Sequence, residues 1–192
     1  MTGASLGDAP HTAARGRGYR VGCVTLPASA ALPDIVLRPI AAGDKAALVA
    51  GLGRLSDRSV YQRFLAPKPR LTASELRYLT EVDQVDHVAL VAVLAGSPRT
   101  IVGVGRWVRD AERRDEAEVA VVVADDLQGR GVGTRIGEAL AEAALARGVT
   151  RFTATMLPSN AAAHRLFRKI SRRLERTRAH GVDELAGDLA VA

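Results

Sequence analysis

The stretch EVAVVVADDLQGRGVGTRIGEAL, residues 118–140, passes through three kinds of local structure without a break. Glu118, Val119, Ala120, Val121, Val122 and Val123 form a run dense in β-branched residues, which reads as a strand. Two acids follow, then Gln128, Gly129, Arg130, Gly131, Val132, Gly133 and Thr134. Beyond them Ile136, Leu140 and Ala144 recur at the four-residue spacing of an amphipathic helix. Three glycines within five residues let the backbone turn tightly and bring its N–H groups close to a ligand. Those groups open a helix, where donors without an intrahelical acceptor and the macrodipole together favour a phosphate. Arg130 adds a cation. The segment therefore reads as a pyrophosphate cradle. It is not a P-loop, which ends in Gly-Lys-Ser/Thr, and not a dinucleotide fingerprint, whose glycines follow the first strand of a βαβ unit. A glycine-rich turn that only caps a helix has the same composition, so the context has to decide.

Towards the N-terminus the context is a meander. Residues 87–94 are a β-rich run, Gly96, Ser97 and Pro98 make a turn, and residues 100–107 are a second run. A charged loop over 109–116 leads into the strand at Glu118. Before the meander, Ile35, Val36, Leu37 and Arg38 read as a strand ended by Pro39. Asp44 is the expected N-cap of a helix through Leu48 and Leu52, and Ser56 that of a short helix carrying Val60, Tyr61 and Phe64. Thr72 and Glu75 have the spacing of a capping box, with Leu71 and Leu76 as its hydrophobic staple, and predict a helix to about Val82. Towards the C-terminus the helix after the glycines ends near Gly148. A strand over 150–156, a helix over 160–172 and a hairpin of 173–177 with 184–189 around Gly181 complete the order.

Length and composition set the frame. A chain of 192 residues suits one domain plus a tail, and residues 1–33, rich in Gly, Ala, Ser, Thr, Pro and Arg, read as that tail, with one short strand over 19–26. Residues 34–192 are the expected domain. Apolar residues make up 47% and aromatics only 4%, so the core must be built from Leu, Val, Ile and Ala. A single cysteine, Cys23, excludes an internal disulfide and suits a reducing compartment. No apolar run approaches the roughly 20 residues needed to span a bilayer, and no signal-peptide pattern opens the chain, so the expected location is the cytoplasm. The net charge of +6 is mostly arginine. A polyanionic cofactor explains a local basic cluster as well as a nucleic acid does, and no zinc-finger spacing or RNA-binding aromatic signature accompanies the charge, so a nucleic-acid partner is not expected. His11, His87, His164 and His180 lack metal-ligand spacing, so no metal is expected. Monomer and homodimer are equally compatible with the sequence.

The run QGRGVG resembles the Q/R-x-x-G-x-G/A signature of the GNAT superfamily of N-acyltransferases, and the element order matches that fold over roughly residues 35–189. The helix opening at Asn160, with Ala163, Leu166, Phe167 and Lys169, resembles the family's later motif, in which an asparagine often faces the cofactor. LSDRSVYQRF followed by LTASELRYLTEVD is similar, more narrowly, to bacterial Pat-type protein lysine acetyltransferase domains. The resemblance implies an α/β fold with a mixed, mostly antiparallel central sheet flanked by helices and splayed at the cofactor-binding strand. It implies acetyl-CoA as co-substrate, its pantetheine arm against the backbone of Val121, Val122 and Val123, and its diphosphate on the amides from Gly129 to Thr134.

A lysine amine has a pKa of about 10.4 and must lose a proton before it attacks a thioester. Glu118 resembles the family position that supplies a glutamate base, usually through water; a solvated edge glutamate is the plain alternative. Charge developing on the thioester oxygen calls for a strand N–H, and Val121 is the expected donor. Where many relatives carry a tyrosine acid, Phe167 stands here, and Ser171 stands where glycine is common. These departures leave a dedicated protein acid open, since a coenzyme A thiolate can leave unprotonated or take its proton from water. Arg165, Arg168, Lys169 and Arg172 recur at helical spacing, as a phosphate-facing or simply solvated basic face. Asn160 serves as N-cap, as a cofactor contact, or as both. The function expected is transfer of an acetyl group from acetyl-CoA to a primary amine, a protein lysine ahead of a small amine. A non-catalytic acyl-CoA-binding module is the alternative that keeps the cradle and does not need Glu118.

Overall fold

The computed structural model describes residues 33–189. Ile35–Pro39 (β1) leads into three short helices, Lys45–Leu52 (α1), Asp57–Phe64 (α2) and Ala73–Thr80 (α3). The meander is His87–Leu94 (β2), Ser97–Arg109 (β3) and Glu116–Val123 (β4). Val132–Leu145 (α4), Arg151–Met156 (β5) and Ala161–Ile170 (α5) follow, then the hairpin Ser171–Ala179 (β6) and Val182–Leu189 (β7). The two hairpin-turn residues, His180 and Gly181, both have positive φ, 50° and 80°, as the tight turn that matches strand twist requires.

The strands form one sheet in the order β1-β2-β3-β4-β5-β7-β6, antiparallel except where β4 meets β5. β2 lies inside the sheet and is covered on both sides, which explains why HVALVAVL is apolar without alternation. Val88, Leu90 and Ala92 pack with α4 and the larger core, while Ala89, Val91 and Val93 pack with Leu48 and the α1–α3 layer. Trp107, Phe152, Ile136 and Leu140 are fully buried in the larger core.

α4 sits so close to the sheet that only glycine fits beneath it. A Cβ on Gly105 would lie 2.2 Å from Cγ2 of Ile136 and 2.8 Å from Cδ1 of Leu140. Gly105→Ala is expected to cost about 1–3 kcal/mol through overpacking, read as a lower urea midpoint at unchanged slope. An unaltered midpoint would mean that α4 does not press on β3 in solution.

Several local expectations hold. Ser56 caps α2, accepting from the Ser59 amide at 3.3 Å, and Thr72 with Glu75 closes the capping box of α3. Others need correction. Asp44 stands at the N-cap position of α1 as expected but makes no side-chain bond to the helix; its carboxylate accepts instead from both Nη atoms of Arg38, at 2.7 and 2.8 Å, and from the Ala41 amide at 2.8 Å. A bidentate guanidinium outcompetes helix donors for an acid. α3 stops at Thr80 rather than Val82. The last helix ends at Ile170, so Arg172 belongs to β6 and does not extend a helical basic face. The short strand expected over 19–26 lies outside the described residues, as does Cys23.

Candidate active site

The parallel pairing of β4 with β5 covers three positions, Glu116 with Arg151, Ala117 with Phe152 and Glu118 with Thr153. β4 nevertheless runs on to Val123 and β5 to Met156, so the two strands diverge beyond Glu118. On the other side β4 stays paired with β3 as far as Val123. The backbone of Val119 to Val123 therefore presents an edge to the gap, and an edge of unpaired N–H and C=O groups can pair with an extended ligand. The gap widens into a cleft of about 420 Å³ between β4, β5, α2, α4 and α5.

The glycine segment closes the end of this cleft. Gly129 and Gly131 have φ of 73° and 87°, a conformation that side chains rarely adopt. Gly131 occupies the N-cap position of α4 and has no side chain to cap it. The first intrahelical bond there runs from the Arg135 amide to the Gly131 carbonyl at 3.1 Å. The amides ahead of it have no acceptor within the helix. A row of such amides at the open end of a 14-residue helix fits a phosphate group.

Gln128 holds the segment in place. Its amide donates to the Val123 carbonyl at 3.0 Å and to Ser59 Oγ at 3.1 Å. Ser59 donates in turn to Asp125 at 2.7 Å, and Ser56 donates to the same carboxylate from Oγ and from its amide. Desolvation pushes the Asp125 carboxyl up, but these donors outweigh it and hold the group below the ordinary carboxylate range. The network ties the start of α2 to the loop before α4.

The structure brings most of the expected residues together. Val121, Val122, Val123, Gln128, Gly129, Gly131, Gly133 and Thr134 line the cleft, as does Asn160. Asn160 also caps α5, accepting from the Ala163 amide at 3.1 Å, as one of its two readings expects. Val132 is different: its side chain is in the core at 4% exposure, which leaves only its backbone to face a ligand. Arg130 is exposed on the loop and is not among the cleft-lining residues. Of the basic residues on the last helix, Arg165 and Lys169 line the cleft. Phe167 lines it as well and is 2% exposed.

Glu118 stands at the vertex of the splay, the last position of β4 still paired to β5, and its side chain is exposed. Alternation puts it on the same face as Ala120 and Val122, under α2. α2, expected as a short helix, also contributes polar side chains that were not among the expected site residues. Ser59, Gln62 and Arg63 project from it into the cleft. The signal was present in the sequence, since positions i, i+3 and i+4 share a helix face and these are polar. Among the described residues no group of three or more His, Cys, Asp or Glu side chains is placed to hold a metal, and no helix is long and apolar enough to cross a membrane.

Comparison with known proteins agrees with this geometry. Residues 58–171 match the model of the Acetyltransferase (GNAT) family. The chain is 38% identical over 138 residues to Acetyltransferase Pat of Mycolicibacterium smegmatis, an alignment covering 72% of this chain and 40% of the relative. This chain thus corresponds to less than half of that longer protein. The crystal structure of the GNAT domain of S. lividans PAT superposes with a TM-score of 0.73 at 36% identity, covering 81% of this chain and 91% of that one. A cAMP-binding acyltransferase from Mycobacterium smegmatis superposes with a TM-score of 0.57 at 31% identity, over 82% of this chain and 44% of that chain. With the splayed strand, the glycine-opened helix and these matches together, the chain belongs to the GNAT family of acetyltransferases.

Proposed function

We propose that this chain transfers an acetyl or related acyl group from acetyl-CoA to a primary amine, with a protein lysine as the acceptor favoured over small amines. The observation that carries the reading is the splay between β4 and β5, which ends on the uncapped N-terminus of α4. One extended ligand with a diphosphate at one end and a hydrogen-bonding arm at the other satisfies both features. In this reading the free edge of Val121 to Val123 aligns the pantetheine arm, and the amides from Gly129 to Thr134 take the diphosphate. Bound acetyl-CoA supplies an activated thioester carbonyl.

The chain's own groups do the rest. Glu118, at the vertex, accepts the amine proton, directly or through water. A strand N–H, with Val121 the first choice, faces the oxygen on which charge develops. Phe167 has no proton to give, so the thiolate leaves without a protein acid. The likeness to Pat supports the preference for a protein lysine, and the single cysteine suits a reducing cytoplasm.

Incubating the protein with acetyl-CoA and, separately, a protein extract and a panel of small amines should release free thiol, with N-acetylated product identified by mass spectrometry. Acetylated lysine side chains are the expected product. Acetylated small amines alone would move the assignment to a small-molecule N-acetyltransferase. Clear thermal stabilisation by acetyl-CoA with no product from any acceptor would mark a non-catalytic acyl-CoA-binding module.

A further inference from the structure

On the face of β3 and β4 turned away from α4 lies a second hollow, a cavity of about 60 Å³ beneath α1, α2 and α3. Its walls are mostly aliphatic, with Leu48, Leu52, Leu79, Val104 and Val122 among them, but they also include Arg63 and Arg106. The register sets Arg106 opposite Ala120 and Val108 opposite Glu118, so Arg106 and Glu118 are diagonal neighbours on one face of the sheet. Arg63, Ala120, Val122 and Val123 line both this cavity and the large cleft. The two spaces therefore adjoin along β4, close to where that strand leaves β5.

Arg106 is 5% exposed. Its guanidinium meets the His87 ring nitrogen at 3.1 Å and donates to the Leu79 carbonyl at 3.1 Å. The second bond satisfies a carbonyl in the last turn of α3, which is a structural duty. Neither bond neutralises the charge. Burial, with Arg106 itself adding, pushes the His87 imidazole down to about 4, so it stays neutral. Burial lowers Arg106 to about 10, and the neighbouring Arg63 lowers it further within that shift. Burial also lowers Arg63, opposed by the field of Glu118. Glu118 is exposed at the vertex and, as the proposed base, is committed to the acceptor's proton. Securing the end of α3 needs one guanidinium, not two beside an apolar hollow. A buried charge without a counter-ion costs several kcal/mol, and a carboxylate is the anion that a guanidinium fork fits.

We propose, building on the acyl-transfer reading above, that this cavity is a subsite for a carboxylate carried on a short aliphatic chain, held by Arg106 and Arg63. At about 15 Å³ for each water-sized group, it has room for about four such groups beside the cleft. Two sources carry this chemistry. One is the far carboxylate of a dicarboxylic acyl group on coenzyme A. The other is the carboxylate of the amine acceptor.

Calorimetric titrations distinguish the two sources. The first pair is succinyl-CoA against butyryl-CoA, equal in chain length and different in charge. The second, on protein saturated with coenzyme A, is 4-aminobutyrate against 4-aminobutyramide. The carboxylate-bearing member of one pair should bind about tenfold tighter or more, about 1.4 kcal/mol for each factor of ten. Arg63→Gln should bring the two members of that pair to within about threefold of each other, whatever it does to their common affinity, since only the charged member gains from the guanidinium. Arg106→Gln should do the same if α3 stays docked, and Arg63→Gln decides the matter if it does not. No discrimination in either pair, or a preference that Arg63→Gln leaves intact, overturns the proposal. Because the readout is binding, a protein that prefers the carboxylate yet transfers no acyl group would sink the acyl-transfer reading and keep the subsite. A protein that acetylates amines and shows no preference would do the reverse.

Discussion

Gly133→Asp is expected to fold as well as the parent chain and to lose acetyl-CoA binding by about a hundredfold or more. Gly133 lies in the first turn of α4 and lines the cleft. A Cβ there meets only ordinary contacts, 3.5 Å to Cγ2 of Val123 and 3.9 Å to Cδ2 of Leu166. Its backbone is helical, so no strain accompanies a side chain. An aspartate in the first turn also favours the helix macrodipole, by about 0.3–1 kcal/mol. The free protein should therefore melt no lower than the parent. With a diphosphate seated on the neighbouring amides the same carboxylate is repelled. Two unit charges 4 Å apart near a protein surface interact by about 4 kcal/mol, less after salt screening, which is still two decades or more in affinity. At a ligand concentration about 100 times the parent Kd, the parent gains about 2.7 kcal/mol and a hundredfold weaker variant only about 0.4. Thermal melts with and without acetyl-CoA read the difference directly. Gly133→Ala, adding a methyl group and no charge, should keep most of the shift. Gly131→Glu would also abolish it, but φ at Gly131 is 87°, so that variant mixes strain with charge and is the weaker test. An unchanged melting shift in Gly133→Asp would remove the diphosphate from this helix terminus.

The cradle was legible because its cause is local. Glycines that must take positive φ, a strand before them and an amphipathic helix after them all lie within one short stretch of sequence. The capping box at Thr72 and the cap at Ser56 were legible for the same reason. The N-cap position of Asp44 is legible but the partner of its carboxylate is not, because Arg38 lies on a strand before it and the competition between a guanidinium and helix amides is settled only by tertiary packing. Arg172 was placed on a helix because basic residues repeat through the boundary at Ile170, and charge periodicity alone does not mark where a helix ends. The splay itself has no sequence signature, since it depends on how far β5 follows β4. The resemblance to the family implied it. The most instructive omission is α2. Val60, Tyr61 and Phe64 mark it as a helix, while the polar stripe of Ser59, Gln62 and Arg63 forms one wall of the cleft. Arg106 was hidden by its setting. An arginine inside a strand run reads as an outward-facing residue, and only the three helices laid over it make it a buried cation.

Glu118→Gln is expected to lower the rate of acetyl transfer to a lysine side chain by about 10²–10⁴-fold near neutral pH while leaving acetyl-CoA affinity close to that of the parent. The affinity should hold because Glu118 lies at the vertex, at the far end of β4 from the glycine segment, and is not among the residues lining the cleft. The rate should fall because at pH 7 only about one lysine side chain in a few thousand is unprotonated, given a pKa of about 10.4. The parent has a carboxylate to take that proton as the amine arrives. The variant must wait for an amine that has already lost it. Its rate should therefore rise about tenfold for each pH unit as the free-amine fraction grows, levelling near pH 10, and the gap to the parent should narrow on the way. Single-turnover rates from pH 6.5 to 9.5, with acetyl-CoA affinity measured alongside, separate this from a binding defect. The isosteric amide preserves shape and most hydrogen bonding, so a purely structural role would leave the rate and its pH profile nearly as they were. That outcome would take the base assignment away from Glu118 and turn attention to water held elsewhere at the vertex. A loss independent of pH, with folding and affinity intact, would instead mean that Glu118 positions the amine rather than deprotonating it. Glu118 shares a sheet face with Arg106, beneath the helix that carries Arg63, and a carboxylate beside two cations suits either task, which makes that distinction worth measuring.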